Sequence, residues 1–103
     1  MKPANYRKMI IISAKILIST EECYSLKEKR KVIKSIKERM RKSFNLTVAE
    51  VEYQDYHNQS MIGIAAISND VKHANGLIDK AINFLEQYYP GRMIDYEIDI
   101  EMK

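Results

Sequence analysis

A single cysteine and two histidines stand in 103 residues, and each scarcity removes a class of protein. Cys23 has no partner for an intrachain bridge, which excludes a disulfide-stapled secreted scaffold. Cys23, His57 and His73 lie too far apart in sequence for the short ligand spacings of zinc sites, so neither a metal nor another cofactor is expected. Long apolar runs are also lacking: stretches such as Met9 to Ile12 fall far below the ~20 residues of a membrane-spanning helix. No leader with a cleavable apolar core precedes it, so a cytoplasmic, reducing setting is expected, with no membrane partner.

What the chain has in quantity is positive charge in one place. Seventeen basic residues against fourteen acids leave a net charge of +3. Lys27 to Lys42 alone holds nine basic and two acidic residues, a local +7, which leaves −4 for everything else. The length fits one domain: residues 1–8 carry no apolar period and are expected to form a flexible N-terminal segment, and residues 9–103 the folded unit.

Residues 9–19 are rich in β-branched side chains without a helical period, which predicts a strand. Ile10, Ile12, Ala14, Ile16 and Ile18 form its apolar side, and Ile11, Ser13, Lys15 and Leu17 the mixed one. Ser25 followed by Glu28 is a capping box that opens a helix. Leu26, Ile33, Ile36, Met40 and Phe44, with Val32 beside them, form its core stripe at spacings of seven, three, four and four. Arg30, Lys34, Lys37 and Arg41 are expected to form a basic ridge on the opposite side.

Residues 46–54 alternate as a second strand, with Ala49, Val51 and Tyr53 on one side and Glu50 and Glu52 on the other. The turn-rich 55–58 and the third strand 59–68 complete a hairpin. Ser68-Asn69-Asp70 starts a second helix whose stripe is Val71, Ala74, Ile78, Ala81, Ile82 and Leu85, and Pro90-Gly91 ends it. In residues 92–102 Ile94, Tyr96, Ile98 and Ile100 are expected to face inward. Asp95, Glu97, Asp99 and Glu101 form an acidic outer row that guards an edge. The order βαββαβ predicts an α+β, ferredoxin-like domain: a four-stranded antiparallel sheet with two helices on one face.

Ser25-Leu26-Lys27-Glu28-Lys29-Arg30, Phe44-Asn45, Val48-Ala49-Glu50-Val51, Gln54-Asp55, Gly63-Ile64-Ala65 and Ser68-Asn69-Asp70 together resemble the YlxP-like family of small bacterial proteins of unknown function. The likeness runs from about Met9 to Met102 and is most specific over SLKEKR. Tyr24 and His57 depart from it, standing where the family is expected to carry a histidine and a tryptophan. The resemblance implies an RNA or ribosome context and no particular reaction.

Lysines and an arginine in the first turn of a helix sit at the positive end of its dipole, at a cost of about a few tenths of a kcal/mol each. A local rule broken in this way suggests a site: free N–H groups with Lys27, Lys29 and Arg30 would favour a phosphate. The topology brings the Tyr56-His57 hairpin tip and Arg92 to the same end of the sheet. Tyr24 and Tyr56 would stack bases there, while Arg30, Lys34, Lys37 and Arg41 track the backbone. The expected function is therefore a non-enzymatic RNA- or ribosome-associated accessory.

The alternative is a protein-interaction module. The open sheet face would present Ile11, Leu17, Met61 and Ile67 within acidic rims formed by Glu50, Glu52, Glu97 and Asp99. That face lacks the aromatics with which RNA-reading versions of this fold stack bases, and it suits a second copy of the chain or another protein. Catalysis is not expected. Acylphosphatases share the topology, but their glycine-rich phosphate loop is replaced here by Ser19-Thr20-Glu21-Glu22. Cys23 beside a basic helix start would have a lowered pKa, yet no base is placed next to it.

Overall fold

The computed structural model describes residues 9–103, so the segment 1–8 lies outside the described residues. Its elements run β1 (Ile10–Ser19), α1 (Leu26–Ser43), β2 (Thr47–Glu52), β3 (Gln59–Ser68), α2 (Val71–Tyr88) and β4 (Met93–Met102). The sheet order is β2-β3-β1-β4, antiparallel throughout. This is the ferredoxin-like βαββαβ arrangement.

The apolar side of β1 is the floor of the core: Ile10, Ile12, Ala14, Ile16 and Ile18 are all buried, beside Ile62 and Ile64 of β3 and Val48 of β2. Each such side chain contributes roughly 1.5–3 kcal/mol. From above, α1 buries Ile33, Ile36 and Met40, and α2 buries Ala74, Ile78, Ala81, Ile82, Phe84 and Leu85. Ser25 Oγ accepts from the Glu28 N–H at 3.1 Å and caps α1, and Asp70 caps α2. Arg39 joins the two helices: its guanidinium lies 4.8 Å from the Tyr88 ring centre and donates to the Tyr89 hydroxyl at 3.1 Å.

Two strands differ from their sequence reading. In β2 a bulge sets Val51 and Glu52 together against Met61. Glu50, opposite the buried Ile62, therefore lies on the helix side, while Glu52 lies on the open face. Only Glu52 belongs to the acidic rim. In β4 the apolar row does lie on the helix side, with Ile98 opposite Ala14 and Ile100 opposite Ile12. Among the described residues the helices give it little cover, because α1 packs mainly on β2 and α2 mainly on β1 and β3. Ile94, Tyr96, Ile98 and Ile100 are exposed, not inward in the sense of buried.

Candidate nucleic-acid interface

The start of α1, the β2–β3 hairpin tip and the turn before β4 meet at one end of the sheet. Where β1 ends, the Ser19 N–H donates to the Arg92 carbonyl at 2.8 Å and the Thr20 N–H to the Asn58 carbonyl at 2.9 Å. The buried Thr20 hydroxyl donates to the His57 carbonyl at 2.8 Å. His57 Nδ1 lies 3.0 Å from the Cys23 carbonyl, an acceptor, so that nitrogen carries the proton. One hydrogen bond thus ties the neighbours of Tyr24 and Tyr56, which are 88% and 54% exposed. The Tyr56 ring rests edge-on against Tyr53, with centroids 5.3 Å apart. Arg92 forms an ion pair with Glu22, which offsets its charge.

Lys29 does not belong to an anion site. It is fully buried, with Nζ 2.7 Å from Glu50 Oε2 and donating to the Tyr53 carbonyl. The same carboxylate oxygen accepts from the buried Ser60 hydroxyl at 2.6 Å. Lys29 sits three residues after Leu26 and four before Ile33, in the core stripe itself. Its stem fills that position while its ammonium reaches the bulged strand beyond. Tyr53 has a φ of 65°; a non-glycine residue in this left-handed region costs about 1–3 kcal/mol unless its surroundings hold it there. The lysine bond to the Tyr53 carbonyl supplies that hold.

With Lys29 turned inward, the exposed face of α1 is set. Arg30, Lys34 and Arg41 are exposed and Lys37 is half-buried. Together with Ile33, Glu38 and Glu50 they line a groove between α1 and β2. None of the four forms an ion pair among the described residues, and Arg41 also donates to the Val48 carbonyl. Lys27, Lys31 and Lys42 extend the exposed charge to both ends. From Arg30 to Arg41 the helix advances about 16 Å.

The open sheet face differs in chemistry. Ile11, Leu17 and Met61 are half-buried, and Ile67 is 66% exposed. Leu17 and Met61 share a depression with Lys15, Glu52, Asp95 and Glu97. Three carboxylates around one lysine repel phosphate and leave the α1 groove as the anion-attracting side.

Cys23 is buried, and its thiol is raised above its ordinary value by that burial first and by the Glu22 and Glu28 carboxylates next. This reverses the lowering expected from the basic helix start: burial and the two carboxylates outweigh the opposing pull of Arg92. The thiol is a protonated, weak nucleophile. Among the described residues no group of three His, Cys, Asp or Glu side chains is arranged to hold a metal ion, and no helix is long and apolar enough to cross a membrane.

A family model described as "Protein of unknown function (DUF503)" matches residues 11–98. The uncharacterised protein YlxP of Bacillus subtilis (strain 168) is 34% identical over 64 residues, covering 62% of this chain and 70% of its own length. Among solved structures, the de novo designed protein Foldit4 superposes with a TM-score of 0.58 at 14% identity, covering 92% of this chain and 98% of its own. At that identity the likeness concerns the fold alone.

Two outcomes follow from the buried network. Lys29→Met strands the Glu50 carboxylate, which is 15% exposed, and is expected to lower unfolding free energy in urea by about 3–5 kcal/mol. Lys29→Met with Glu50→Leu should recover most of that loss; a single variant as stable as the parent contradicts the pairing. For Cys23, the raised folded value means that the native state holds the proton more tightly than the unfolded chain. The associated stability is intact below the ordinary value of 9.0 and is lost as pH rises through the folded value. Cys23→Ala should flatten the alkaline limb of a stability-against-pH curve, and native Cys23 should alkylate far more slowly than the urea-unfolded thiol.

Proposed function

We propose, for a chain that belongs to the DUF503 family of proteins of unknown function, a non-catalytic role: it holds the phosphate backbone of an RNA along the exposed face of α1 and works as an RNA- or ribosome-associated accessory in the cytoplasm. The observation that carries this reading is the row Arg30, Lys34, Lys37 and Arg41, free of carboxylate partners among the described residues, along the α1–β2 groove. Charges held along a rigid helix suit a polyanion better than a compact ligand, because they recur along an axis instead of converging on a point. Tyr24 and Tyr56 offer rings for unstacked bases beyond the N-terminal end of the row. A buried, protonated, unpaired cysteine suits a reducing compartment.

Of the ten residues expected on this surface, Lys27, Arg30, Lys34, Lys37 and Arg41 compose its helical part. Tyr24, Tyr56 and His57 stand at its end, Arg92 is tempered by Glu22, and Lys29 is withdrawn. The open sheet face, through Ile11, Leu17, Met61 and Ile67, is the alternative surface for a second copy or another protein.

About four phosphate contacts to a single-stranded RNA give a log–log slope of affinity against salt of roughly −3. Arg30→Glu with Lys34→Glu is expected to reduce it to about half and to weaken binding at low salt. RNA binding indifferent to salt, or unchanged in the double variant, sinks the proposal. Self-association abolished by Leu17→Asp, without RNA binding, would favour the sheet-face alternative.

A further inference from the structure

Among the described residues β4 is an edge strand, with β1 as its one neighbour. Its pairing runs without irregularity from Ile10 opposite Met102 to Leu17 opposite Asp95. The outer side is thus a regular ladder of unpaired backbone donors and acceptors, with no proline and no bulge along that run to interrupt it. The two rows of side chains flanking this ladder differ completely. On the helix side Tyr96, Ile98, Ile100 and Met102, opposite Ile16, Ala14, Ile12 and Ile10, are 45%, 41%, 39% and 66% exposed. On the open side stand Asp95, Glu97, Asp99 and Glu101, with Lys15 opposite Glu97 and Lys103 3.1 Å from Glu101 as the nearby cations.

We propose that the free edge of β4 takes up an extended segment of a partner protein, one in which apolar and basic side chains alternate, as a fifth strand. Strand addition satisfies the open ladder, and alternation sends the added side chains to the two rows in turn. Apolar residues land beside Tyr96 to Met102 and shield a row that the helices leave partly exposed, while lysines or arginines land beside Asp95 to Glu101. The charges select this occupant over a second copy. Two β4 edges paired with both helix layers on the same side set carboxylates opposite carboxylates, and like charges directly opposite are destabilising. The surface is separate from the RNA groove: α1 packs on β2, at the other edge of the sheet.

The test uses the full chain and a capped synthetic peptide of alternating valine and lysine, matched in length to β4. Controls are the valine–glutamate peptide and a peptide of the same valine and lysine content in blocks. The alternating basic peptide is expected to bind, to slow amide hydrogen exchange along β4, and to leave α1 amides unaffected. Losing two cross-strand charge pairs in Glu97→Lys with Asp99→Lys should weaken it about tenfold, and Ile98→Ser should weaken it through the apolar row. All three positions are exposed, so the variants retain the fold. Equal binding of the block peptide reduces the effect to charge attraction and overturns the proposal. So does protection of β4 amides in the peptide-free protein with a dimeric mass, which makes a second copy the occupant.

Discussion

A fully buried lysine ammonium bound to a carboxylate on the neighbouring strand is the constraint from which the rest of this surface follows. Lys29 places its stem in the core stripe of α1 and its charge between Glu50 and the Tyr53 carbonyl. Burying both ions costs several kcal/mol of hydration, which the pairing and the extra bonds from Ser60 and to Tyr53 offset without a large surplus. The contribution is therefore positional. The ion pair fixes the roll of α1 about its axis and holds the left-handed Tyr53 at the end of a bulged strand. The basic residues that alternate with the core stripe are directed outward as a consequence.

Charge separation across the sheet is the second level. The chain gathers +7 in α1 and −4 elsewhere, and the order β2-β3-β1-β4 carries these to opposite edges: α1 over β2, and the acidic row on β4. Such an arrangement attracts a polyanion on one side and a cationic segment on the other. It also keeps the apolar centre of the open face inside a border that repels phosphate, which distinguishes this chain from relatives of the fold that read RNA on the sheet.

Much of the fold was legible because periodicity reports which side of an element faces the core. The alternation in β1 and the stripes of both helices name the buried isoleucines directly. Three features escaped for physical reasons. Lys29 occupies the middle of the seven-residue interval between Leu26 and Ile33, where two turns of helix require an inward position; the interval was the signal, and the charge hid it. Glu50 and Glu52 share a face in a regular strand, but the bulge at Val51 separates them, and no glycine or proline in β2 announces it. In β4, alternation shows that Ile94 to Ile100 share a side, not whether a helix reaches far enough to cover it. The meeting of the α1 start, the Tyr56-His57 tip and Arg92 at one end followed from topology; the bond of His57 to the Cys23 carbonyl and the pairing of Arg92 with Glu22 depended on side-chain placement that only coordinates supply.

Lysine-by-lysine acetylation of the native protein, followed by mass spectrometry with and without single-stranded RNA, tests the division of labour within α1 most directly. Lys29 should stay unmodified in both samples, while Lys27, Lys34 and Lys37 should be modified in the free protein and become protected by RNA. Ready acetylation of Lys29 in the folded chain, or RNA that leaves Lys34 and Lys37 as reactive as before, would contradict that division.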